Sequence, residues 1–140
     1  MTFAKLYEFS YRLNSYPVRL EGVIDAKALE LSAQDELWYV PCELDEDVSL
    51  GHIKQTRQHQ GVYDGDPRWV TEIRYSQTLN LCWQRYVCCK ELMHVFDTAD
   101  EKVNSPDRFR MLLDEFEAPL PFDKASPMFK TETKTMCLCP

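Results

Sequence analysis

The stretch from Val70 to Phe96 constrains this chain most, because its apolar pattern switches from a period of two to a helical period within a few residues. Val70-Thr71-Glu72-Ile73-Arg74-Tyr75 alternates as a half-buried strand does. After Ser76, placed to cap a helix, the residues Leu79, Cys82, Trp83, Tyr86, Val87, Cys89, Leu92, Met93 and Phe96 cover one wide helical face. A strand that runs into so broad an apolar helix needs a sheet for the helix to lie on.

The remaining segments are read as the partners of this unit. Between Ala4 and Tyr16, Leu6, Tyr7, Phe9 and Leu13 recur near helical spacing and Pro17 stops the helix; an irregular first strand fits the same residues. Val18 to Ile24 alternates as a strand, and Asp25 caps a short helical turn reaching Leu31. Leu37 to Leu44 is rich in strand formers, with Pro41 placing it at an edge or a bend, and Glu43 to Asp47 form a solvated turn. Gln55 to Gly61 is polar, and Asp64-Gly65-Asp66-Pro67 joins a strand pair. Asn104-Ser105-Pro106-Asp107 opens a helix with Phe109, Leu112, Leu113 and Phe116 inward, broken by Ala118 to Asp123; a last helix runs from Pro127 to Leu138. No repeat or linker divides the 140 residues, so one α+β domain is expected over 1–140, a short sheet packed against helices.

Charge and motifs narrow the function. Sixteen Lys and Arg against 23 Asp and Glu leave a formal charge of −7, which repels phosphate backbones and argues against a nucleic-acid partner. The first residues hold no basic segment followed by an apolar run and no stretch has the length of a membrane span, so a cytoplasmic protein without a membrane partner is expected. The six cysteines are read as reduced and mostly buried, and Cys137-Leu138-Cys139 alone does not define a zinc site. Trp38, Trp69 and Trp83 are assigned to the core. With four glycines the chain contains no nucleophile elbow, phosphate loop or dinucleotide fingerprint. A thiol nucleophile at Cys88 or Cys89 lacks a base, since helical geometry does not bring His94 beside Cys88. His52 and His59 lie in a polar segment beginning at Gly51 and are read as solvated or turn residues.

One constellation remains, Lys90-Glu91-Leu92-Met93-His94. In the H-E-x-x-H motif two imidazoles on one helix face hold zinc, and the Glu beside the first activates the metal-bound water. Together with Gly61-Val62-Tyr63-Asp64, the strand through Ile73, the pair Arg85-Tyr86 and the helix Lys130 to Pro140, these residues resemble the ImmA/IrrE family of zinc metallopeptidases over about residues 61–140. Glu91, Leu92 and His94 match the family's motif, and Glu132 falls at its third zinc ligand. Lys90 replaces the first histidine, Met93 a glycine, and Thr133-Lys134 an Ala-Asn pair.

The resemblance implies a zincin-like domain and a pocket of Lys90, Glu91, His94 and Glu132. A protonated lysine cannot donate to a metal, so with His94 and Glu132 as the only matched ligands no cofactor is expected. The Lys90 ammonium would instead balance Glu91 and Glu132. The implied function is a catalytically degenerate peptidase-like module that binds a regulatory or host protein, in a setting of prophages and mobile elements. Two alternatives stand beside it. One is an active zinc endopeptidase cleaving a repressor or toxin-antitoxin regulator, with Glu91 as base, His94 and Glu132 as ligands and a third ligand from His52, His59 or Cys89. The other is a structural protein with a vestigial pocket.

Overall fold

The computed structural model describes residues 2–13, 19–58 and 65–138, and the side chains within them except those of residues 2, 3, 137 and 138. The chain divides into two compact units, Met1–Phe96 and Asp97–Pro140. Mixed α/β structure is present: five α-helices and a three-stranded sheet among the described residues. No helix there is long and apolar enough to cross a membrane.

The first unit opens with α1 (Thr2–Arg12), whose Leu6 is buried and which packs on α2 (Asp25–Leu31), where Lys27 Nζ lies 5.6 Å from the centre of the Phe9 ring. Between them, the strand expected up to Ile24 is corrected: residues 20–24 form a wide turn closed by the Asp25 amide on the Leu20 carbonyl. Gly22 adopts φ 75°, which reverses the chain where an alternating strand would continue. Asp25 is the first residue of α2 rather than its cap, and its carboxylate accepts from the Ala26 amide at 2.6 Å.

The sheet follows as β1 (Glu36–Cys42), β2 (Gly51–Gln58) and β3 (Arg68–Ser76), in the order β1-β3-β2. β3 pairs parallel with β1, Tyr39 opposite Ile73, and antiparallel with β2, Ile53 opposite Ile73. Pro41 therefore sits on an edge strand, where its missing N–H costs no central ladder bond. In the turn between β1 and β2, Glu46 is exposed, as expected of a solvated turn, and is also tied back to the end of β3. It accepts a hydrogen bond from Ser76 Oγ at 2.5 Å and another from the Thr78 hydroxyl, and these hold its carboxyl below the ordinary carboxylate value.

Because Ser76 ends β3 and is engaged by Glu46, it does not cap the next helix. Asn80 does so, accepting from the Trp83 amide at 3.0 Å, and α3 (Leu81–Met93) runs into a single 3-10 turn at His94–Phe96. α3 packs on β2 and β3, burying Val87, Cys88, Glu91, Leu92 and Met93. All three tryptophans are exposed, contrary to the core assignment. Trp38 belongs to the sheet face away from α3, Trp69 lies against Arg57, and Trp83 occupies the first turn of α3 edge-on to Tyr86.

In the second unit, Ser105 caps α4 (Pro106–Glu117) through the Arg108 amide, with Pro106 in the first turn. Glu115 on α4 accepts from the amide and hydroxyl of Ser126, which precedes α5 (Pro127–Leu138) and whose hydroxyl receives the Phe129 amide. Phe116 and Phe129 meet with ring centres 4.9 Å apart. Of the four α4 residues expected inward, Leu112 is buried while Phe109, Leu113 and Phe116 stay exposed in part, because α5 covers only one flank of so broad a face.

Candidate functional site

The candidate site lies on the last turn of α3, where the helix crosses the start of β2. Gly51 is what permits the crossing: a Cβ there would stand 2.4 Å from Val87 Cγ1 and 2.9 Å from the Arg74 carbonyl oxygen. The same position would meet Glu91 Cγ at 3.6 Å, so the Glu91 stem is laid against the sheet. Glu91 as a whole ends up 4% exposed. Burying an unpaired carboxylate costs several kcal/mol, and a partner is required.

Lys90 supplies one, with Nζ 3.1 Å from Glu91 Oε1 and side-chain exposures of 15% and 6%. Adjacent helical residues point about 100° apart and do not face each other, so the lysine stem must bend round the helix to reach its neighbour. That detour holds the ammonium against the buried carboxylate instead of in water. Lys90 also stands in the last turn of α3, where the helix dipole favours a cation. His94, half-buried, closes the helix with its amide on the Glu91 and Leu92 carbonyls.

Burial also disfavours the charged forms of Cys88 and Tyr39. Cys88, one turn before Glu91, has its thiol pushed up to about 12 by burial first, then by Glu91, Cys89 and Glu21. A thiol so disfavoured as a thiolate is a poor nucleophile. Tyr39, on β1, has its phenol raised far above the ordinary value by burial and by Asp25, Cys88, Glu21 and Cys89. Its hydroxyl is buried with no hydrogen-bond partner among the described residues. Neither Gly51 nor Tyr39 was singled out from the sequence; the Gly51-His52-Ile53 alternation is the signal for the first, and no local signal marks the second.

Arg85 is exposed and Tyr86 packs against Trp83 with ring centres 5.5 Å apart. His52 is exposed on β2, and alternation along the strand turns it to the sheet face opposite the one Gly51 presents to α3, which removes it as a rescuing ligand for this helix. Partial desolvation, then Arg74 and Lys54, hold its imidazole below the usual value. His59 and Cys139 lie outside the described residues, as do Gly61 to Asp64 and the side chain of Cys137. Cys42, Cys82, Cys88 and Cys89 are free thiols, of which only Cys88 is buried and Cys82 is exposed. Glu132 is half-buried on α5 of the second unit, its carbonyl accepting from the Thr135 hydroxyl at 2.9 Å.

Zinc held in the manner of an H-E-x-x-H helix does not fit this turn of α3. The residue in the first ligand position is a cation, and the carboxylate that would address a metal-bound water is bonded to it at 3.1 Å. Within each unit, no three described His, Cys, Asp or Glu side chains gather as a metal site. Comparisons of the chain with protein-family models, with curated proteins and with solved structures found no match.

Proposed function

We propose that this chain is a catalytically degenerate, zincin-like member of the ImmA/IrrE type that serves as a protein-binding module. The observation that carries the reading is the Lys90–Glu91 pair: a largely covered lysine ammonium set beside the motif glutamate, on a helix seated on a mixed sheet. In such a protein the architecture that once presented a substrate remains useful for holding a regulatory or host protein, while hydrolysis is lost with the first histidine. Glu91 then acts as the buried counter-charge of Lys90 and not as a base. His94 persists as a polar residue at the end of the former motif helix.

Incubating the full chain with zinc and an unfolded protein substrate tests the reading directly. No cleavage is expected. Zinc-dependent cleavage that disappears in Glu91→Gln would replace the reading with that of an active endopeptidase, using a ligand other than Lys90 and His52.

A further inference from the structure

The second unit carries an apolar stripe that α5 leaves uncovered. On α4, Phe109, Leu113 and Phe116 follow one another at intervals of four and three, so they lie along one line of the helix, and each is 37–44% exposed. α5 takes the neighbouring line: Leu112 is buried, Glu115 accepts from Ser126, and Phe116 touches Phe129 with ring centres 4.9 Å apart. On the other side of the stripe, turning by about 100° per residue brings Arg110 and Glu117 to its rim, while Asp107 and Asp114 fall a row beyond. Arg110 and Glu117 are both exposed, and neither forms an ion pair among the described residues.

The rim says what the stripe meets. Arg110 and Glu117 stand two helical turns apart on the same edge of the stripe. A second copy of this helix running antiparallel presents the two residues in reverse order. Arg110 of each copy then faces Glu117 of the other, and two ion pairs close around one two-fold axis. In that register Phe116 of one copy falls between Phe109 and Leu113 of the other, and the two Leu113 side chains meet near the axis, so the apolar stripes interdigitate where the charges match. Parallel pairing would set this rim against the opposite, α5 side of the other stripe and bring neither ion pair together.

We infer that the chain pairs with a second copy of itself through the stripe of Phe109, Leu113 and Phe116, with the α4 helices antiparallel and held in register by Arg110 and Glu117. A foreign helix fills the stripe equally well, but a copy of this chain carries the matching charges at the matching spacing by necessity. A pair of 12-residue helices is smaller than the standard interface of about 1,600 Å², and the formal charge of −7 opposes self-association, so the dimer is expected to be weak, on the order of tens of micromolar. The inference is independent of the Lys90 reading: zinc bound at α3 would remove that reading and leave this one standing.

Sedimentation equilibrium of the full chain, from micromolar to near-millimolar concentration, tests the inference. A monomer–dimer equilibrium is expected. R110E and E117R should each weaken the dimer about tenfold, because the two-fold axis repeats the substitution at both rims. Combining them in one chain should restore pairing with the charges exchanged, and mixing the two single variants should give a heterodimer tighter than either homodimer. L113E changes an already exposed position, so it should abolish the dimer and leave the circular dichroism of the fold unchanged. The charge exchange keeps the test valid even if L113E unfolds. A chain that stays monomeric at every concentration, a dimer indifferent to a folded L113E, or a double variant no tighter than the single ones would overturn the inference. In the first of these outcomes the stripe belongs to a different partner.

Discussion

The interface of α3 with the sheet and the pairing of α4 with α5 solve the same problem with different completeness. In the first unit Leu92 and Ile73 are 0% exposed, Gly51 lets helix and strand approach to contact, and even a charged pair is drawn inside. In the second, Leu112 and Met128 are buried, yet Phe116 on the same α4 face is 40% exposed. A face closed by a sheet has no slack, so it registers every change of volume or charge; a face covered by one helix has room to adjust.

That contrast orders the expected effects of substitution. Leu92→Ala should cost about 3–4 kcal/mol in urea unfolding, against about 1 kcal/mol for Phe116→Ala, whose side chain is already partly in water. Equal costs at the two sites would break the comparison. Glu91→Gln removes the negative charge from beside the Lys90 ammonium and should cost about 2–3 kcal/mol, less than a fully buried pair because Lys90 keeps some contact with solvent. Adding Lys90→Met to Glu91→Gln should recover most of the loss, and a double-mutant cycle with no coupling would mean that the pair is incidental.

Gly51→Ala comes next, at about 2 kcal/mol, since the new methyl meets a strand carbonyl as well as the Val87 side chain. The smallest effect is on the pH profile. The Cys88 thiol binds its proton more tightly in the folded chain than at its ordinary value of 9.0. Between pH 9.0 and about 12 the folded state therefore holds more protons than the unfolded one, and stability falls as pH rises. Cys88→Ala should flatten that slope in denaturation curves taken across the lower part of the window, and an unchanged slope would assign it to Tyr39 or another group.

The parts of the fold that could be read from sequence are those set by local chemistry. The switch of period at Ser76, the Ser105-Pro106 start of α4 and the edge position of Pro41 each follow from one or two residues acting on their own backbone. The rest depended on what lay across the molecule. Val18 to Ile24 alternates like a strand, yet Gly22 takes the left-handed conformation available to it and turns the chain. The three tryptophans looked like core residues by size, but each lies where nothing in the described first unit covers it fully. At the site, Lys90 and Glu91 were legible as a pair of opposite charges. The burial of Glu91 was not, because it is decided by Gly51, some forty positions earlier and silent in any helical pattern.

Zinc titration of the metal-free full chain, followed by thermal unfolding and by direct metal analysis, tests most directly whether the Lys90 ammonium stands in for a metal ion beside Glu91. The account predicts no stoichiometric zinc and an unchanged midpoint. One zinc per chain, with a rise in midpoint that is lost on replacing His94, would contradict it.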